Sequence, residues 1–247
     1  MDSFRRERMG IRTQVVLLAA GLLLSMGGAQ AADEVDPWEG MNRKIFVFND
    51  TLDTYLVKPV AKGYLAVTPD PVEVSVSNFF ENLGEVKNIV NDVLQWKWGQ
   101  AANDSGRLLV NTTIGIAGLF DVAKHMGMPR AEGEDFGQTL ADWGVGQGPY
   151  LVLPFLGPST LRDLGGMPVD GYTNPIAYVD HVPTRNTVYA TDLLETRASL
   201  IEAEDLISGD KYAFMRDAFL QRRNYLVKDG EVEDDFGGDD FSEDDEF

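Results

Sequence analysis

The stretch Asp36–Tyr55, DPWEGMNRKIFVFNDTLDTY, decides the fold class. Trp38, Met41, Ile45, Phe48, Leu52 and Tyr55 recur at alternating spacings of three and four, the period of one face of an α-helix. Its start is signalled by Asp36 as N-cap, by Pro37 in the first turn where no donor is missed, and by Glu39 at the capping-box position. Outward from this helix, Pro59 and the Thr68-Pro69-Asp70-Pro71 cluster punctuate the chain. Val86, Ile89, Val90, Val93 and Leu94 then make a second apolar stripe, closed by Trp96 and Trp98. Tyr189, Leu193, Thr196, Leu200, Ala203 and Ile207 continue the helical period, and Tyr212, Met215, Phe219 and Leu226 mark a final helix. No strand alternation stands out and no repeat is detectable, so the expected class is all-α with long irregular connections.

Two uncharged segments interrupt this pattern. LLVNTTIGIAGLF, between Arg107 and Asp121, carries Gly115 and Gly118 spaced for a bend and is too short to cross a bilayer. It reads either as a buried core hairpin or as an interfacial hairpin that touches lipid. WGVGQGPYLVLPFLGPSTL, Trp143–Leu161, cannot be one helix because Pro149, Pro154 and Pro158 interrupt it. Its irregular backbone needs hydrogen-bond partners or a wet cavity.

The chain has 247 residues, a formal net charge of −19 and no cysteine. Met1–Ala31 has the form of a cleavable export signal: arginines 5, 6, 8 and 12, the apolar run Val15–Leu24, and the small residues Ala29-Gln30-Ala31 before the expected cut. The apolar run of about a dozen residues falls short of the ~20 a spanning helix needs. Removing the leader takes away four arginines and two acids, so what remains is still more acidic, and nucleic acid is excluded as a partner. From Asp229 to Phe247, 11 of 19 residues are acidic, too charged a segment to bury itself. The expected division is 1–31 leader, 32–228 helical domain and 229–247 acidic disordered tail. Since an acyl anchor is built on cysteine, the chain is expected not to be a lipoprotein.

Catalytic chemistry finds little support. His125 and His181 sit in no nucleophile or metal motif and read as surface or capping residues. Ser159 lacks the nucleophile elbow and is expected to cap a helix running through Arg162 and Asp163. Gly144-Val145-Gly146-Gln147-Gly148 and Gly165-Gly166 lack the lysine of a phosphate loop. Arg222-Arg223 reads as a solvated basic face that could also meet lipid phosphates. No enzyme, cofactor or metal is expected.

Five segments together carry a family signature: DPWEGMNRKIFVFND (36–50), SNFFENLGE (77–85), LLVNTTIGIAGLFDVA (108–123), EDFGQTLADWGVGQGPYLVLPFLGPSTLRD (134–163) and ETRASLI (195–201). The chain resembles the MlaA (VacJ) family across roughly 36–226. The resemblance implies amphipathic helices arranged as a ring or disc around a channel, held in the inner leaflet of the Gram-negative outer membrane beside trimeric porins. It implies a non-enzyme that passes mislocalised outer-leaflet phospholipid to the periplasmic carrier MlaC and so preserves lipid asymmetry. By the same resemblance, the uncharged hairpin with Leu109, Ile114, Ile116, Leu119, Phe120 and Val122 bounds the channel. Asn42, Phe46, Phe48 and Asn49 of the first helix match a gating region. Trp38, Trp96, Trp98 and Trp143 are candidates for either the membrane interface or the core. A soluble periplasmic protein that docks on porins or a carrier, and a lipid hydrolase, are the competing readings.

Overall fold

The computed structural model describes residues 35–207 and 209–231; the proposed leader and all but the first residues of the acidic tail lie outside them. The helix expected from Asp36–Tyr55 is present as α1 (Glu39–Leu52), and it runs through a π-turn (Asp53–Val57) into α2 (Lys58–Val67), with Pro59 in the first turn. Its start differs from expectation. Trp38 occupies the N-cap position without a side-chain bond, and the Asp36 carboxylate turns instead to Asn42, 2.7 Å away, and to the Tyr212 hydroxyl. The Asp36 carboxylate is thereby spent on a link between α1 and Tyr212 near the other end of the chain rather than on a local cap.

Pro69 and Pro71 bracket the start of the long helix α3 (Asp70–Leu94), which ends where Trp96 takes a positive φ of 62°. α4 (Trp98–Thr113) returns along it, and the pair forms the most extensive packing in the chain. A short α5 (Val122–His125) and α6 (Phe136–Asp142) follow. The second uncharged segment then departs from an all-helical chain: β1 (Tyr150–Leu153) and β2 (Gly157–Thr160) pair antiparallel, Tyr150 opposite Thr160 and Leu153 opposite Gly157. The three prolines fall just before, between and within these strands, so a single short hairpin accommodates them on its edges.

After β2, α7 (Leu161–Thr173) is capped by Thr160, whose Oγ1 accepts from the Asp163 amide at 3.2 Å. This shifts the expected cap by one residue; Ser159 is buried and donates to the Thr160 carbonyl. α8 (Val182–Ser199) packs on α2, and α9 (Lys211–Val227) closes the chain. The apolar period expected from Tyr189 to Ile207 does not run through one helix, because a 3₁₀ turn (Glu202–Leu206) replaces its last part.

Arg223 of α9 ties the last helix to the middle of the chain. It is buried, not solvated: its guanidinium bonds both carboxylate oxygens of Asp135 and donates to Asp163 at 2.7 Å. Asp135 caps α6 and Asp163 lies in the first turn of α7, so one cation closes three elements. Gly137 lies against this node: a Cβ there would stand 2.4 Å from Arg223 Nη2 and from Asp163 Oδ1 and would press these side-chain ends apart. Burial alone would raise the Asp135 pKa, but the Arg223 guanidinium overrides it and holds the carboxyl below its ordinary range.

A depressed carboxyl pKa stabilises the fold above the unfolded value of about 4 and withdraws that stability as pH falls through the folded one. Arg223→Met is expected to destabilise the chain by roughly 3–5 kcal/mol at neutral pH. In urea denaturation, the loss should shrink toward acid pH as Asp135 becomes protonated.

Candidate functional site

Among the described residues, polar and charged side chains share the interior with a small apolar cluster, and many large apolar side chains lie exposed. Among the described residues the buried side chains include Asn42, Glu85, Asp92, Asp104, Arg107 and Asn111, whereas Met41, Phe48, Tyr55, Leu109, Ile114 and Phe120 are exposed. α1 shows the same distribution. The apolar stripe stays at least partly exposed along its length, and the buried residue is Asn42. All four tryptophans are exposed, Trp96 at 73%. No helix among the described residues is long and apolar enough to cross a membrane.

The uncharged hairpin is a helix end and a tight turn. α4 runs to Thr113, and the chain then reverses through Ile116 and Ala117, which both take positive φ, and Gly118 at +89°. A Cβ on Gly115 would stand 2.2 Å from the Phe120 carbonyl, and one on Gly118 would meet the Asn82 side chain at 2.6 Å. Backbone closure therefore takes the inside of the turn and forces the side chains out. Ile114 and Ile116 are each 62% exposed, Leu109 and Phe120 are exposed as well, and Leu119 and Val122 are half-buried. A β-branched residue held at positive φ carries strain, and here the strain presents Ile116 to the surroundings.

Beneath the turn lies a buried ion-pair network. Arg107 is 1% exposed; its Nε donates to Glu85 at 2.9 Å, its Nη1 to the Met128 carbonyl at 2.8 Å, and its Nη2 to Asp121 at 3.1 and 3.2 Å. Asn111 donates to the same Asp121 carboxylate. Further along α3 and α4, Asp92 and Asp104 are both fully buried and face each other. Burial and then the neighbouring Asp104 charge push the Asp92 carboxyl up to about 8, so it holds a proton at neutral pH.

The first-helix residues named from the family motif meet the β-hairpin. Asn42 Nδ2 donates to the Tyr150 carbonyl at 3.1 Å, and the Val152 amide donates back to Asn42 Oδ1 at 3.0 Å. Two turns on, Asn49 repeats the arrangement with the Leu153 carbonyl and the Phe155 amide, each at 2.9 Å. An asparagine carries a donor and an acceptor side by side, so two of them extend the sheet edge with side chains. These bonds answer the need for partners that the proline-rich segment showed. Phe46 lies edge-on to Tyr212 and Phe48 edge-on to Phe155.

Next to the turn opens a cleft of ≈ 670 Å³, lined among others by Val74, Asn78, Asp121, Lys124, His125 and Arg130. Neither Arg107 nor this cleft could be found from sequence periodicity, because their residues come from separated segments. His181 caps α8, accepting from the Thr184 amide, as its reading as a capping residue anticipated. Among the described residues, no cluster of acidic or histidine side chains could hold a metal.

Comparison with known proteins now decides the family. The family model described as "MlaA lipoprotein" matches residues 34–226. The chain belongs to the MlaA family. It is 36% identical over 231 residues to the "Intermembrane phospholipid transport system lipoprotein MlaA" of Escherichia coli (strain K12), covering 91% of this chain and 92% of that one. The protein of the same name from Haemophilus influenzae is 27% identical, over 90% of this chain and 94% of its own. A solved structure described as "Structural basis for maintenance of bacterial outer membrane lipid asymmetry" superimposes with a TM-score of 0.69 at 36% identity, covering 78% of this chain and 98% of that one.

These findings correct the expectation of a protein that is not a lipoprotein. The family model and the named relatives are lipoproteins by description. The step from a missing thiol to a protein set apart from lipoproteins does not stand. Attachment through the start of the chain is a matter of residues before Val35, outside those described, and the fold of an MlaA member does not report on it.

Two outcomes are expected. Asn42→Ala leaves the buried Val152 amide without its acceptor and should cost about 1–3 kcal/mol, with faster hydrogen exchange at Val152 than at amides of α8. Because Asp92 is raised from 3.8 to about 8, the unfolded chain loses its proton first as pH rises, so stability falls across that window. The urea midpoint of the wild type should therefore drop across it, and that of Asp92→Asn should drop less.

Proposed function

We propose that this MlaA-family chain acts in intermembrane phospholipid transport at the outer membrane, removing misplaced phospholipid from the outer leaflet and handing it on, so that lipid asymmetry is kept. The observation that carries the reading is the inverted polarity: exposed Leu109, Ile114, Ile116 and Phe120 stand beside a polar interior centred on Arg107. An apolar rim can lie among acyl chains while a polar interior accommodates a charged headgroup. The exposed tryptophans suit the headgroup boundary, where indole has both an apolar face and an N–H donor.

On this reading Leu109, Ile114, Ile116, Leu119, Phe120 and Val122 form the lipid-facing turn. Asn42, Phe46, Phe48 and Asn49 set its counterpart, the hairpin clamp. Passage of a lipid breaks no covalent bond, so no catalytic residue is needed, and buried Ser159 spends its hydroxyl on the Thr160 carbonyl. A periplasmic lipid carrier and a trimeric porin are the partners that follow from the family resemblance, with residues 1–31 as export leader, 32–228 as lipid-handling domain and 229–247 as an acidic tail.

The test is removal and complementation. A strain lacking the chain should accumulate phospholipid in the outer leaflet and become sensitive to detergent with EDTA. Wild type should restore the barrier, and Ile116→Asp with Phe120→Asp should not. Unchanged lipid asymmetry on removal would overturn the proposal, and full rescue by the doubly charged turn would favour a docking role without lipid contact.

A further inference from the structure

The cleft beside the turn has a fixed frame. The loop after α5 is held by Arg107 at the Met128 carbonyl and by Asn103 at the Pro129 carbonyl, 2.9 Å away. Asn78 of α3 donates to the Leu119 carbonyl at 3.4 Å, which sets the cleft against the apolar turn. Its walls therefore need not reorganise to receive a ligand, which lowers the entropic cost of binding.

The charges around this frame are mostly paired with one another. Asp121, the carboxylate in the lining, is already occupied: it accepts from Arg107, from Asn111 and from the Lys124 amide, and Arg130 stands 3.5 Å away. Arg130 is further held by Glu81. Lys124 and His125 are exposed, and among the described residues neither side chain has an ion-pair partner. Among the residues that line the cleft, two cations, Lys124 and Arg130, stand against one carboxylate, Asp121; Arg130 is also tied to Glu81, which leaves Lys124 as the cation turned to the cleft. It faces a cleft with Val74 on one wall and the exposed Ile114, Ile116 and Phe120 on the neighbouring turn.

We infer that this cleft binds the phosphodiester of a phospholipid headgroup, with Lys124 as its main charge partner and His125 as a second hydrogen-bonding group. The inference rests on the lipid-transport reading and adds the place where the headgroup is recognised. An ammonium on a flexible stem is a point charge suited to a phosphate whose substituents vary, whereas a guanidinium fork would demand one orientation. The adjoining apolar turn distinguishes a lipid from a free anion, because it offers the acyl chains a place beside the bound phosphate.

The experiment uses the full chain in mild detergent, titrated calorimetrically with dihexanoyl-phosphatidylglycerol, with inorganic phosphate, and with dihexanoylglycerol. Wild type should bind the phospholipid more tightly than either fragment. Lys124→Glu should weaken phospholipid binding by about tenfold or more, Lys124→Gln by less, and Lys44→Glu on exposed α1 should leave it unchanged. Equal losses in Lys124→Glu and Lys44→Glu would overturn the site in favour of a general charge effect. Phosphate binding as tightly as the lipid would overturn it in favour of a free-anion site. Normal lipid binding by Lys124→Glu would overturn the headgroup site and leave the transport reading standing. No binding of the phospholipid by wild type would count against that reading itself. A circular-dichroism melt matching wild type confirms that each variant is folded.

Discussion

Arg107 is the residue on which the architecture turns. A guanidinium almost fully removed from water can be tolerated only if its donors are met by acceptors of opposite charge, and here they are met by Glu85, Asp121 and a backbone carbonyl. Those partners belong to α3, to the exit from the turn and to the loop after α5, so satisfying one side chain fixes three parts of the chain. Burial would raise the Glu85 carboxyl, and the guanidinium opposes that rise. The pair and its surroundings are thus mutually dependent: removing either charge strands the other in a site with little water.

Directional polar bonds run through the rest of the interior alongside its buried apolar residues. Arg223 joins three elements through Asp135 and Asp163. Asn42 and Asn49 bind the hairpin to α1, and Asp36 links α1 to Tyr212 of α9. The small apolar cluster of Tyr150, Val152 and Tyr212 lies at the crossing of these links. Polar contacts contribute less net free energy in water than apolar burial does, but they set geometry sharply. In an apolar surrounding the balance changes, because water no longer competes for the exposed apolar face, and the polar interior becomes the region that must be kept together.

The strained turn connects this scaffold to function. Its inner face is filled by backbone, so Ile114, Ile116 and Phe120 have no inward position to occupy. Arg107 pins the start of the following segment, and the cleft lined by Lys124 opens directly beside it. Apolar surface, buried ion pairs and the Lys124 ammonium are therefore neighbours.

The helices at Asp36–Tyr55, Val86–Leu94 and Tyr212–Leu226 could be read from the sequence, because a 3.6-residue period is a local property. Five ordered motifs also made the family legible, and the uncharged turn could be singled out by composition. Local pattern did not tell which side of each helix faces inward: the stripe through Met41, Phe48 and Tyr55 shows an amphipathic helix equally whether protein or lipid covers it. Nor did it reveal the short β-hairpin, whose prolines argued against regular structure until Asn42 and Asn49 supplied partners about a hundred residues away in sequence. The roles of Asp36, Arg223 and Arg107 depend on acceptors brought together only by folding. Sequence by itself determined the periodicity, the charge and the family, since these are properties of neighbours along the chain. Tertiary structure alone decided which polar residues, Asn42, Arg107 and Arg223 among them, are buried and which apolar ones, such as Ile116 and Phe120, are exposed, because burial is a relation between segments far apart in sequence.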